Sequence, residues 1–521
     1  MRGIGKTTFA WKLFDDSLIV CQYDIRAWVT VSQEYQMREI FAGLLDSTNQ
    51  LSSEIRKLSG GELADRLYKS LKGRKYIIVM DDVWDTKIVL TTRHKIVGDD
   101  AASFDHRHDM RPLDSGESWD LFRAKVFRGG YCPPRLEGIG LEIVKKCRGL
   151  PLSIVVIGSL LSMDKTVGYW ETIVTALKSI LSTDGGQCST IFSLSYNYLP
   201  AHLKPCFLYF AIFPKDHAIR RSNLIHLWVA EGFIKPNGSK SLEDIAEECL
   251  EDLLNRSLIM VLKLGRDGKV KTYRIHDLLR DFCITEAKKE KFFHVTNKYS
   301  IPYEGIRSER RVSINPVSHL ESIEHAFNSN GPPSTTRSLV LYDEDAEIIV
   351  SEPSFGLLRV LDMKGGKLLI EFPKEIALPP NFKFLAALKK LTLSHCGLGW
   401  KDLTMVGSLP NLEVLKLNDE ACEGGVWEPN EGEFRMLKSL ELNYLDLVEW
   451  RADDSHFPQL ECLKIRDCWK LKEILTEIEN IPTLEKIELE GECSSSAVAF
   501  AKLILDQQLS LGNDVLQVRI F

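Results

Sequence analysis

Residues 3–8 read GIGKTT. Gly5-Lys6-Thr7 fits the second half of a phosphate-binding turn, Gly-x4-Gly-Lys-Ser/Thr, set between a strand and a helix. In such a turn, glycines let backbone N–H groups face phosphate oxygens. Lys6 would bring a point charge to the β- and γ-phosphates, and Thr7 a hydroxyl for Mg2+, with Gly3 and Thr8 flanking them. The pattern's first glycine and the apolar strand before it are not in this sequence. Phe9, Ala10, Leu13 and Phe14 fit the buried side of the helix that follows. Read alone, the string is as easily a chance GKT at a chain start.

Residues 75–82, KYIIVMDD, weigh against chance. Residues 76–80 are a continuous apolar run, the pattern of a strand buried on both faces. Asp81 and Asp82 stand at its C-terminal end, where ligands bind in open α/β sheets. One carboxylate there can hold Mg2+ (Asp81) and the other can orient an attacking water (Asp82). The bland reading, a strand ending in a solvated Asp pair, loses ground to the half-turn upstream. Residues 23–31 (YDIRAWVTV) and 88–92 (IVLTT) read as further strands. Arg93, just past the last one, can reach a γ-phosphate; without the neighbouring motifs it would read as a surface arginine.

Composition excludes other classes. At roughly 100–200 residues per domain, 521 residues suggest three or four domains. Apolar residues are 44% and charged residues 27%, ordinary for globular chains, so collagen-like and largely disordered readings fail. The net charge of −7 gives no global field toward nucleic acid or anionic lipid. Residues 381–521 carry −9 by themselves, from 15 Lys+Arg and 24 Asp+Glu. The 12 cysteines form no CxxC pair, which excludes zinc-ribbon and thioredoxin motifs and suggests a reduced compartment. The longest mostly apolar run, residues 152–163, is too short to span a bilayer. No secretory signal is seen.

GIGKTT, YDIRAWVTVSQEY, KYIIVMDDVWD, IVLTTR, CRGLPL, CFLYFAIFPKD and YRIHDLLRDF occur in one order. In that order they resemble the NB-ARC module of plant nucleotide-binding, leucine-rich-repeat disease-resistance proteins. Trp84 resembles the coiled-coil class. RPLDSGESWDLF and IHDLLRDFCITEAKKEKFFHV resemble its late-blight resistance group from the nightshade family. The resemblance implies an ADP/ATP switch with Mg2+ and, at most, a weak ATPase. It implies Lys6 and Thr7 as phosphate and Mg2+ ligands, and Asp81 and Asp82 as the second phosphate-site motif. Arg93 would be the phosphate-sensing arginine, Pro151 the proline near adenine, and His276 the histidine that touches ADP phosphates. The last motif reads Ile275-His276-Asp277, with Ile where the family has Met.

Two departures are physical. Only Asp85, Thr86 and Lys87 separate DDVW from IVLTT. Parallel neighbours need a crossover of a dozen or more residues. A missing first strand would also leave unpaired neighbours. The resulting expectation is an incomplete α/β P-loop nucleotide-binding domain that binds ADP or ATP weakly or not at all. The family's coiled-coil arm is also not in this sequence, so the chain is expected to sense without executing.

Residues 1–111 are thus the truncated P-loop domain and 112–200 a helical domain. Residues 201–300 resemble the family's winged helix, with basic residues around a small hairpin turn rather than a groove-reading surface. Residues 301–336 read as a linker, because 328–336 is NSNGPPSTT. Residues 337–521 read as leucine-rich repeats: LxxLxL-like units begin at Leu388, Leu412, Leu437, Leu460 and Leu484, spaced 24, 25, 23 and 24. Cys396 and Cys468 take that pattern's N/C position. Gly149 reads as a C′ glycine and Pro151 as a helix opener.

The resemblance implies a cytoplasmic immune receptor that senses a pathogen effector or guarded host protein through its repeats and triggers hypersensitive cell death. Self-association and peripheral membrane attachment stay open; no nucleic acid or transmembrane segment is expected. The alternative is a nucleotide-independent repeat decoy or adaptor, or a non-functional truncated allele.

Overall fold

The computed structural model describes residues 4–31, 37–48, 50, 55, 58–81, 110–128, 130–181, 187–238, 240–265, 268–296, 309–314, 335–342, 347–349, 357–364, 367–369, 386–394, 397–472, 478–510 and 515–520. Gly3, Asp82, Trp84, Arg93, the 85–87 connection and the IVLTT run lie outside them. Two compact units divide the chain. The first holds Met1–Phe207, Lys215–Ala218 and Cys249–Phe282; the second holds Leu208–Pro214, Ile219–Glu248 and Cys283–Phe521.

The first unit opens with α1 (Lys6–Phe14), α2 (Ser17–Gln22), β1 (Ile25–Thr30), α3 (Met37–Ser47), α4 (Gly60–Leu71) and β2 (Tyr76–Asp81). β1 and β2 pair in parallel from Ile25↔Tyr76 to Thr30↔Asp81, so at this edge the two strands satisfy each other. α3 and α4 bury Ile40, Leu44, Leu45, Leu63 and Leu67 against Ala27, Val29 and Ile78. Ser59 and Glu62 start α4 with a reciprocal cap, which satisfies two backbone donors the first turn would orphan. β2 departs from the expectation of burial on both faces. Ile78 and Val79 are buried, but Tyr76 at its start is 49% exposed.

α1 also differs from its sequence reading. Ala10 is buried, but Phe9 and Leu13 are 43% and 48% exposed. Of the expected set Phe14 does pack, meeting the Trp28 ring of β1 edge-on at 5.5 Å, and Trp11, itself 49% exposed, meets the same ring edge-on at 4.9 Å. Three-residue spacing sets these two rings on one face, which competes with the face carrying Phe9 and Leu13.

Five helices follow: α5 (Ser115–Phe127), α6 (Pro134–Lys146), α7 (Pro151–Ser162), α8 (Val167–Leu181) and α9 (Gln187–Asn197). α7 is buried nearly all round, with Ile154, Val156, Ile157 and Leu161 at 0% exposure. Then come α10 (Leu203–Tyr209), α11 (Arg221–Glu231), α12 (Leu242–Asn255), the antiparallel pair β3 (Met260–Leu264) and β4 (Val270–Arg274), and α13 (Asp277–Lys289).

The second unit contains a ten-stranded parallel sheet. In chain order its strands are β5 (His294–Thr296), β6 (Arg311–Ile314), β7 (Ser338–Tyr342), β8 (Val360–Lys364), β9 (Lys390–Ser394), β10 (Val414–Asn418), β11 (Ser439–Asn443), β12 (Cys462–Arg466), β13 (Lys486–Glu490) and β14 (Gln517–Ile520). From β9 to β13 the strands start 24, 25, 23 and 24 residues apart, so the leucine period of the sequence is the strand period. Leu391, Leu415, Leu440, Leu463 and Ile487 are adjacent in register and buried on one face. Trp400, Trp427 and Trp450 stack beside them with centroids 5.1 and 5.2 Å apart.

The sheet runs beyond the expected 337–521. β5 and β6 lie N-terminal to it, so part of the 301–336 segment read as a linker is paired strand. Thr336 donates its hydroxyl to the Glu309 carbonyl at 3.0 Å, which replaces a free linker end with sheet-edge backbone. At the other end α14 (Ser495–Ser510) is followed by β14, which extends the sheet by one more strand.

Candidate functional site

The expected phosphate turn ends in α1. Gly5 is the residue before the helix and sits at φ 90, a left-handed geometry that glycine adopts without a Cβ penalty. The Phe9 N–H bonds the Gly5 carbonyl at 2.9 Å and closes the first helical turn. Lys6 is half-buried; Thr7 and Thr8 are exposed. The Thr7 hydroxyl donates to Asp81 Oδ1 at 3.0 Å, across 74 residues of sequence. Asp81 itself is 1% exposed. The two motifs that made the sequence argument therefore meet at one hydroxyl–carboxylate contact.

Pro151 belongs to the same place. A Cβ built on Gly5 would lie 3.9 Å from Pro151 Cγ, so the turn and the start of α7 are in van der Waals reach. Pro151 is the first residue of α7, where a missing N–H costs nothing. Gly149 is one residue further out than the sequence suggested. The cap of α6 is Cys147, Arg148 follows at φ 47 and Gly149 at φ 70, so C′ is Arg148 and Gly149 is C″. The reason for glycine is contact: its Cβ would stand 2.2 Å from the Leu113 carbonyl oxygen. The Leu113 N–H donates to the Gly149 carbonyl at 2.9 Å, which holds the strand-like entry to α5 against the α6–α7 joint.

His276 opens α13. Its Nδ1 accepts from the Leu278 N–H at 3.1 Å, a helix-capping role. Asp277, buried, pairs with Lys215 Nζ at 3.1 Å, and Arg274 pairs with Asp216. The FPKD and IHD strings are thus neighbours in space. Lys215 and Asp216 were quoted only as a motif; the alternation of basic and acidic residues in the two strings was the available signal for their pairing.

Oxygen donors from a hydroxyl and a carboxylate beside a helix N-terminus suit a phosphate-bound Mg2+. The glycine turn leaves room that a Cβ would narrow. Among the described residues, no cluster of three or more His, Cys, Asp or Glu is placed to hold a metal by protein ligands alone. A Thr–Asp pair of this kind would hold the ion only jointly with substrate phosphates.

The description "NB-ARC domain" matches residues 1–132, and "Disease resistance protein Winged helix domain" matches residues 212–283. The chain carries both domains. Among curated relatives, the putative late blight resistance protein homolog R1B-16 of Solanum demissum is 30% identical over 98% of this chain and 52% of its own length. Late blight resistance protein R1-A of the same species is 41% identical over 58% of this chain and 24% of its own. This NB-ARC chain thus spans about half the length of the first and a quarter of the second. The Aeropyrum pernix ORC1 protein, solved in complex with DNA, aligns with 55% of this chain and 85% of its own at 13% identity. Its TM-score of 0.26 is too low to carry an argument. No helix among the described residues is long and apolar enough to cross a membrane.

Proposed function

We propose that this NB-ARC chain is the switch-and-sensor portion of an intracellular plant immune receptor. ADP favours a closed state; sensing of a pathogen effector or guarded host protein favours ATP and opening, which leads to defence and hypersensitive cell death. The observation that supports this reading best is the Thr7–Asp81 contact at 3.0 Å beside Gly5 and Pro151. Lys6 would bind phosphate oxygens, Thr7 and Asp81 would hold Mg2+, Pro151 would border the base, and His276, by its motif position, would contact the phosphates. When bound, Mg2+ neutralises phosphate charge. Asp82 and Arg93 complete the set, and any hydrolysis is a slow reset. The working division is residues 1–111, 112–200 and 201–300 for the switch and leucine-rich repeats beyond, in the cytoplasm.

Titration calorimetry of the full chain with Mg2+ and ADP tests this. The NB-ARC match and the Thr7–Asp81 contact favour binding over the weak or absent binding expected from the two sequence departures, so ADP should bind in the micromolar range, weakened at least ten-fold by Lys6→Ala and Thr7→Ala. A folded chain that gives no ADP heat would sink the switch. It would leave the nucleotide-independent repeat adaptor, which the three-residue 85–87 connection favours.

A further inference from the structure

The sheet of the second unit carries a charged row at the residue just before each strand from β6 to β13. Backbone hydrogen bonds fix its register: Arg337 N–H to Arg310 carbonyl at 2.6 Å, Arg359 to Arg337 at 2.7 Å, Lys389 to Arg359 at 2.9 Å, Glu413 to Lys389 at 2.8 Å and Lys438 to Glu413 at 2.8 Å. Residues in one register row of a parallel sheet stand about 4.8 Å apart. Their side chains do reach one another here, because Lys389 bonds Glu413 at 2.5 Å and Lys438 bonds Glu461 at 2.9 Å. From Lys389 to Glu461 the row alternates in sign and neutralises itself.

Its first three members do not. Arg310, Arg337 and Arg359 are consecutive like charges, and among the described residues none has a carboxylate within ion-pair distance. The nearest buried acid, Glu231, is committed: it pairs with Arg311 at 2.8 Å and accepts from Ser338. Arg311 in turn is held between the Phe233 and Phe292 rings, with its guanidinium 4.8 and 4.5 Å from their centroids. Arg337 is half-buried, and burial, with Arg359, Arg310 and Arg311 beside it, pulls its pKa below the ordinary arginine value. Arg359 Nη1 would lie 3.5 Å from a Cβ on Gly232, so it is packed against the end of α11 rather than free to swing away. The register therefore sets three arginines in a row about 10 Å long, and among the described residues Glu231, already paired with Arg311, is the acid that partly offsets the charge at Arg337.

We infer that Arg310, Arg337 and Arg359 form a binding site for a compact polyanion carrying two or three adjacent phosphoryl groups. Guanidinium forks pair with phosphoryl oxygens in a bidentate manner, and one phosphoryl group can bridge two forks at this spacing. An extended acidic peptide fits less well, since same-face side chains repeat at about 6.8 Å along a strand. The site is independent of the nucleotide turn, which belongs to the other unit.

The test is calorimetric titration of inorganic tripolyphosphate into the full chain, wild type and Lys6→Ala. Both should bind, with an affinity that falls steeply as salt rises. Arg337→Gln, and the pair Arg310→Gln/Arg359→Gln, should weaken binding at least ten-fold while thermal unfolding stays as in wild type. Arg337→Lys, which keeps the charge but loses the fork, should fall between, and it carries the test if the glutamine variant does not fold. Unchanged affinity in the arginine variants, or loss of all heat with Lys6→Ala, would overturn the assignment. Cosedimentation with phosphatidylcholine vesicles containing a phosphoinositide bisphosphate, lost in Arg337→Gln, identifies a lipid headgroup as the source. Tripolyphosphate binding without vesicle binding identifies a free ligand, and binding to neither refutes the site.

Discussion

Gly149→Ala tests whether the α6–α7 joint is set by contact or only by backbone freedom. Two costs apply. A left-handed φ costs an L-residue roughly 1–2 kcal/mol. The new Cβ would also meet the Leu113 oxygen at 2.2 Å and its nitrogen at 2.9 Å, so the Leu113–Gly149 hydrogen bond must open. A buried donor or acceptor left unsatisfied costs about 1–3 kcal/mol. The total is about 2–5 kcal/mol. Gly73 is the control within the same unit: its φ is 77, and nothing lies within 4 Å of its built Cβ. Gly73→Ala should cost only the first part, roughly 1–2 kcal/mol. At about 2–4 °C per kcal/mol for a unit of this size, calorimetric unfolding should separate the variants by several degrees. ADP affinity should fall with Gly149→Ala and not with Gly73→Ala, because Pro151 sits two residues on. Equal thermal shifts for the two variants would refute the contact argument.

Three further outcomes follow from the second unit. Lys390 and Asp362 are an ion pair at 3.1 Å with both side chains at 0% exposure. Lys390→Met should cost about 3–5 kcal/mol in urea unfolding, and adding Asp362→Asn should recover part of it, because the charge is then no longer stranded. Burial raises the pKa of Glu441, but Lys416 at 2.8 Å, Lys464 and Arg220 outweigh it and hold the carboxyl well below the usual range. Its folded pKa lies below its unfolded one, so its contribution is present above the unfolded value of about 4.3 and is lost as pH falls below it. Urea midpoints should begin to drop as pH falls from 5 toward 3, with the rest of the contribution lost only at lower pH as the folded carboxyl itself protonates, and Glu441→Gln should flatten the drop. Burial pushes the Cys468 thiol up to about 12, and its sulfur lies 3.3 Å from the Arg466 carbonyl. Iodoacetamide at pH 8 should label exposed Cys21 in the native chain and leave Cys468 unmodified, as peptide mapping would show.

Part of the −9 charge of residues 381–521 lies within the sheet itself. Asp362, Thr392, Lys416, Glu441, Lys464, Glu488 and Arg519 are successive members of one register row. Lys416–Glu441 and Lys464–Glu488 are ion pairs within it. Much of the acidity in these strands is thus answered across the sheet and is not offered to a basic partner.

Local patterns determined a good deal by themselves. Leucines at intervals of 23–25 residues have one low-energy use, a strand per repeat with its apolar face inward, so the strand period was legible. GKT at a helix start and a strand ending at Asp81 were legible because turn chemistry and apolar runs act over a few residues. Tertiary structure decided what depends on distant partners. Which residues of α1 touch the sheet was settled by Trp28, whose ring Trp11 and Phe14 meet edge-on. The need for glycine at 149 came from Leu113, 36 positions upstream. The contact of Thr7 with Asp81, the start of the sheet at β5, and the column of Arg310, Arg337 and Arg359 are products of register between segments that sequence spacing does not encode.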